Sequence, residues 1–219
     1  METRIGFVGC YSHDVIMILA KVVSCMERKV LLRDLNQQHP LRASVPIPED
    51  LCVTRACGEY DGVLFTEQPP GREKEERCEV ELIDFGMSVR KEEARRCSEL
   101  VLVTDMLPHH IRCLARVDLP AEAVKVCIIR DAIEGMCRKE KEVRDFLHRF
   151  PERKVFYLPP DFRDVKNRYV CETLHEYSIR RCSPEMQDVV YYMAGVLCPD
   201  SSEKEIRRRV RYQERRCYR

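Results

Sequence analysis

A short apolar run, Ile5, Gly6, Phe7 and Val8, closes on Gly9 and is followed by apolar residues at helical spacing: Val15, Ile16, Leu19, Ala20 and Val23. Continuous apolar character giving way to a 3.6-residue period within a few positions reads as strand, turn and helix. Val30, Leu31 and Leu32 form a second apolar run ending in an acid, Asp34. Two wholly apolar strands joined by a helix open a parallel sheet, because the crossover helix must lie on one face and further cover is needed on the other. The N-terminal half is therefore neither all-helical nor all-β.

The same alternation continues downstream. Residues 61–68 and 78–85 read as strands and as neighbours, with the polar segment 68–77 a hairpin-like loop between them. Residues 99–104, 124–129 and 155–158 read as further strands. Residues 108–117, 133–150, 184–197 and the stretch from Ser202 onward read as helices. Residues 35–60, with Pro40, Pro46 and Pro48, form an irregular excursion with room for a short helix. The pattern predicts an α/β fold: a three-layer α/β/α domain with a mostly parallel sheet. The length of 219 residues and 44% hydrophobic content suit one core, expected over residues 1–200, with residues 201–219 a basic helix or tail. No internal repeat is visible.

Lys plus Arg number 38 against 37 acids, so no global field favours nucleic acid, and none is expected as a partner. The 13 cysteines are odd in number and contain no C-x-x-C pair, which points to reduced thiols used as small apolar side chains. The longest apolar run, residues 15–20, is far short of the roughly 20 residues that span a bilayer. The Met1, Glu2, Thr3, Arg4 start has none of the features of a signal peptide, and a cytoplasmic protein is expected.

Ligands of open α/β sheets bind beyond the carboxyl ends of the strands. The residues there are Gly9, Cys10, Tyr11, Ser12, His13 and Asp14 after the first strand, then Asp34, then Asp84, Phe85 and Gly86. Asp105, Arg130 and Asp131, and Pro159, Pro160 and Asp161 follow the later strands. His13 reads as an exposed polar residue of a first helical turn. His109 and His110 are adjacent, so their side chains diverge on a helix, and no cysteine or carboxylate stands at ligand spacing from them. No metal site is expected.

In order along the chain, the residues that matter are Gly9 opening a helix, Val30 to Asp34, Glu81 to Gly86, the strand from Cys97 to Asp105 with Pro108 behind it, and Val155 to Asp161. This order resembles the MinD/ParA-type (SIMIBI class) P-loop ATPases, and among them the TadZ/CpaE branch of pilus assembly. The likeness runs from Arg4 to about Leu197. It implies a P-loop NTPase-like fold, ATP and magnesium as the family's ligands, a homodimer and protein partners in a larger assembly. On that likeness Gly9, Cys10, Tyr11, Ser12, His13 and Asp14 form the phosphate loop. Asp84 corresponds to the carboxylate in the second shell of magnesium, and Asp34 to the acid facing the attacking water.

The loop departs from what a triphosphate needs. A P-loop wraps phosphates with bare backbone amides from several glycines, a Lys and a Ser or Thr hydroxyl. Here there is one glycine and no Lys. Ser12 falls where the phosphate Lys belongs, and Asp14 brings a charge that would repel phosphate. The resemblance therefore implies a pseudo-ATPase: a scaffold or localisation protein with a degenerate Walker A loop, serving pilus or secretion assembly. A weak ATPase of the same type is the first alternative.

A second alternative is an NAD(P)-binding Rossmann oxidoreductase, with Asp34 holding a ribose hydroxyl, although Gly6 and Gly9 do not satisfy G-x-G-x-x-G. A further surface is the basic stretch that opens at Glu203 and reaches Arg219. It carries eight Lys or Arg against three Glu, with Ile206, Val210 and Cys217 on one stripe. The MinD likeness implies peripheral contact with a membrane surface there, at the inner face, while the small apolar face predicts a helix leaning on the domain.

Overall fold

The computed structural model describes residues 3–46, 58–60, 62–66, 78–133 and 141–217. Within them the apolar runs pair into one eight-stranded sheet. In chain order the elements are β1 (Thr3–Gly9), α1 (His13–Ser24), β2 (Val30–Asp34), α2 (Pro40–Ala43), β3 (Gly58–Tyr60), β4 (Val63–Thr66), β5 (Val80–Asp84) and α3 (Lys91–Ala94). They continue with β6 (Glu99–Asp105), α4 (Pro108–Ala115), β7 (Val124–Arg130), α5 (Lys141–His148), β8 (Lys154–Tyr157), α6 (Phe162–Leu174), α7 (Pro184–Leu197) and α8 (Glu203–Cys217).

The strand order is β3-β4-β2-β5-β1-β6-β7-β8, and every pairing is parallel except that of β3 with β4 at one edge. This is the expected three-layer α/β/α domain. Side chains alternate between two cores with the two-residue period of a strand. Ile5, Phe7, Leu82, Val101, Val103, Val126 and Ile128 face one side, where α1, α7 and α8 pack. Val8, Ile83, Leu100, Leu102, Cys127 and Ile129 face the other, covered by α3, α4 and α5. Each such side chain fully removed from water contributes about 1.5–3 kcal/mol, which is why the central strands are apolar on both faces.

Several elements differ from their sequence expectation. β4 and β5 are not neighbours, since β2 lies between them and pairs with both. An apolar run cannot tell whether its partner is the next run along the chain or an earlier one, because both offer the same backbone donors and acceptors. The segment expected as a hairpin-like loop lies outside the described residues. The irregular region contains α2 but also β3, a strand too short for a period to show. The charged helix expected over 133–150 is described only as Lys141–His148. α6 was not anticipated, because Phe162, Val165, Tyr169 and Leu174 are exposed and the helix shows little amphipathic pattern toward the core. Its start is set instead by Asp161, whose side chain accepts the Arg163 N–H at 2.7 Å. Likewise Ser183 caps α7 by accepting the Met186 N–H, ahead of Pro184 in the first turn.

α8 packs on α7. Ile206 and Val210 are buried in the main core, and the Arg207 guanidinium lies 3.9 Å from the Tyr191 ring centroid. The apolar stripe that a lipid-binding helix would present is turned inward. No helix among the described residues is long and apolar enough to cross a membrane.

Candidate functional site

The carboxyl ends of β1, β2 and β5 face a cleft of about 500 Å³. The turn after β1 forms its floor, Asn36, Gln37 and Gln38 and residues 85–88 form one wall, and His110, Arg168 and Glu172 complete it. The fold thus brings together all six residues of the expected phosphate loop, of which Gly9, Cys10, Tyr11, Ser12 and His13 line the cleft and Asp14 lies buried beneath it.

The amides at the start of that loop are turned inward. Gly9 has φ +133°, and its N–H donates to the Gly86 carbonyl at 2.8 Å. The Cys10 N–H donates to the Val103 carbonyl at 3.0 Å. Gly9 is needed here for closeness as well as for its dihedral angle, since a Cβ would stand 1.8 Å from the Val103 oxygen. Gly86, at φ +57°, lies against the Asn36 side-chain amide, and its requirement for glycine is set by the dihedral angle. These glycines let two neighbouring turns bond to each other, leaving fewer bare amides for an anion.

Asp14 corrects the expectation of a repelling charge. Its carboxylate is held in two parallel hydrogen bonds by Arg130, Nη1 to Oδ1 at 2.6 Å and Nη2 to Oδ2 at 2.8 Å. Arg130 Nη1 also donates to the Tyr11 carbonyl at 2.7 Å. Burial alone would raise the Asp14 carboxyl, but the Arg130 guanidinium, with His13 and Arg168, holds it below the ordinary carboxylate range. The pair is neutral as a unit, so it neither repels phosphate nor offers a free cation to it. His13 corrects a second expectation: it is buried, with Nε2 2.6 Å from the Glu172 carboxylate of α6.

Ser12 Oγ donates to Asp84 Oδ1 at 2.9 Å. The pair places a hydroxyl against a strand-end carboxylate at the floor of the cleft. Asp84 also accepts the Gly86 N–H at Oδ1 (3.0 Å) and the Asn36 amide at Oδ2 (3.2 Å). Burial pushes its carboxyl up against these three donors.

Asp34 stands in register beside Asp84 on the adjacent strand. It accepts the Asn36 N–H and the Arg42 N–H, each at 3.1 Å, tying down the turn into α2. Burial, with the Asp84 charge alongside, raises it to about 6.

The arrangement departs from a standard phosphate-binding loop in three respects. Two loop amides are bonded to protein carbonyls, no Lys stands in the loop, and the buried guanidinium is engaged by Asp14. The topology also differs from that of a dinucleotide fold. A Rossmann sheet places its second strand beside the first, bringing the acid to the ribose. Here β5 separates β2 from β1, so Asp34 sits one strand too far.

A third correction concerns His110. Its Nδ1 lies 2.8 Å from Asp105 Oδ2, five residues earlier, and 3.9 Å from Cys10 Sγ, a hundred residues away in the chain. His109 stacks on it, ring centroids 4.1 Å apart. No spacing rule could have found this trio, because adjacency of β1 and β6 creates it. Among the described residues most of the remaining cysteines are buried, and burial holds the Cys97, Cys127 and Cys171 thiols up at about 12.

The fold is that of ParA and MinD P-loop ATPases. A ParA family ATPase from Chlorobium tepidum superposes with TM-score 0.55 at 15% identity over 89% of this chain and 99% of that one. MinD cell division protein from Aquifex aeolicus gives 0.61 at 14% identity over 91% and 98%. The chain of the MinC:MinD complex from Aquifex aeolicus gives 0.61 at 12% over 91% and 97%. No family model matches the chain, and no curated protein matches it significantly.

Proposed function

We propose that this protein is a ParA/MinD-like pseudo-ATPase that works by binding other proteins, as a scaffold or localisation factor in a pilus or secretion assembly. The observation that carries this reading is the closed phosphate loop. The Gly9 and Cys10 amides are bonded to the Gly86 and Val103 carbonyls, and Arg130 is engaged by Asp14. To use these two amides for phosphate the loop must break their bonds, and it gains no lysine charge in return.

A stripe on α6 supports a role in protein binding. Phe162, Val165 and Tyr169 project from one side of that helix into solvent, at a spacing that places them within one face. A similar fold is found in the MinC:MinD complex, so a partner docked on such a domain has a precedent. If the chain forms a homodimer, nucleotide would not gate it, because no lysine is present in the loop to bridge phosphates.

Calorimetric titration of the full chain with ATP and magnesium, with NAD and NADP alongside, tests the reading. Silence with all three is expected. Micromolar ATP binding with turnover would overturn it in favour of the weak ATPase, and dinucleotide binding would restore the oxidoreductase reading.

A further inference from the structure

We propose that Cys10, Asp105 and His110 form a binding site for one zinc-type divalent cation at the edge of the cleft, with a coordination position left open to it. Their donor atoms lie within 4.8 Å of one another. The arrangement follows from the fold. β1 and β6 are adjacent and parallel, so their carboxyl ends bring Cys10 and Asp105 side by side, and α4, starting at Pro108, places His110 in its first turn above them.

The dimensions suit zinc. Bonds of about 2.3 Å to sulfur and 2.0–2.2 Å to nitrogen or oxygen make the edges of a tetrahedral site about 3.3–3.6 Å long. The His110 to Asp105 separation of 2.8 Å and the His110 to Cys10 separation of 3.9 Å bracket that value, so small side-chain rotations close the set. The Asp105 carboxylate is already oriented: Oδ1 accepts the Leu107 N–H at 2.9 Å, leaving Oδ2 toward the histidine. A thiolate and a carboxylate would balance a divalent charge. The mixed sulfur, nitrogen and oxygen set favours zinc-type metals over magnesium or calcium, which take oxygen donors. Cys10 and His110 both line the cleft, so a three-residue site keeps its remaining position on that side.

A catalytic triad is the competing reading of the same residues, and the geometry disfavours it. A nucleophile and its orienting acid must lie on opposite ring nitrogens, whereas Cys10 and Asp105 both face Nδ1. The Cys10 thiol is also held up at about 11, by burial and then by the Asp105 charge, so it supplies little thiolate unaided. Metal binding forms the sulfur–metal bond and releases the thiol proton to solvent. The inference does not depend on nucleotide and stands apart from the scaffold reading.

The test is titration of the reduced full chain with Co²⁺, whose tetrahedral thiolate complexes absorb in the visible with a near-ultraviolet charge-transfer band, followed by displacement with Zn²⁺. One equivalent is expected to generate both features. Cys10→Ser should abolish the charge-transfer band, and His110→Ala should weaken binding by more than the 10–100-fold, approximately, that loss of an outer partner costs. Cys113→Ser, at an exposed thiol on the same helix, should leave both features intact. Absence of the bands in the natural chain, or bands that persist in both Cys10→Ser and His110→Ala, would overturn the site. If Cys10→Ser proves misfolded by circular dichroism, His110→Ala and Asp105→Asn decide the matter, and undiminished affinity in both would overturn it.

Discussion

Asp14 and Arg130, 116 positions apart, meet in a bidentate ion pair with both side chains shielded from solvent. The pair joins the first turn of α1 to the end of β7 and, through the Tyr11 carbonyl, fixes the turn between β1 and α1. It lies beneath the loop that lines the cleft.

Breaking this pair from one side leaves a buried charge without its partner. Arg130→Ala or Asp14→Ala is expected to lower stability by about 3–5 kcal/mol, read from the urea midpoint. An Asp14→Leu, Arg130→Met double variant, which removes both charges, should recover most of that loss.

Gly9→Ala meets two obstacles together, a φ of +133° and a methyl carbon 1.8 Å from the Val103 oxygen. The expected cost is on the order of 3 kcal/mol or more. Thermal unfolding checks it, and a variant as stable as the natural chain would mean that the turn has another conformation open to it.

Asp34 gives the stability a pH dependence of definite sign. Its folded value, raised to about 6, lies above the ordinary value of about 4, so between those pH values the folded protein binds more protons than the unfolded one. The contribution is complete below pH ~4 and is lost as pH rises through ~6. Asp34→Asn imitates the protonated form at every pH. The stability of the variant relative to the natural chain should therefore rise by on the order of 2–3 kcal/mol from pH 4 to pH 7. Urea titrations at both pH values read the difference directly, and a constant difference would count against the raised carboxyl.

Ile206 is fully buried beneath α8. Ile206→Ala is expected to destabilise by about 2–5 kcal/mol, measured by denaturant unfolding. Because the apolar face of α8 is occupied by the core, liposome flotation should be the same for the full chain and for a version ending at Ser202. Flotation by the full chain alone would mean that the helix leaves the core for the lipid.

Much of this architecture is legible in the order of residues. The continuous apolar character of β1, β2, β5, β6 and β7 comes from burial on both faces, and burial acts on each residue where it stands. Pro108 and Pro184 start helices for reasons confined to their own backbone. The single glycine and the absence of lysine in residues 9–14 are likewise visible without coordinates. Legibility ends where a property depends on which strand lies beside which. β5 between β2 and β1 is one such case, and it separates Asp34 from the place a dinucleotide fold gives its acid. The neutralisation of Asp14 by Arg130 and the gathering of Cys10, Asp105 and His110 are others. Of these two, the first joins residues 116 positions apart and the second brings Cys10 to a pair about a hundred positions downstream, contacts that no local pattern records. Local patterns record what each segment must bury, whereas strand order sets which charges meet, and in this protein the meeting of charges governs what the cleft can hold.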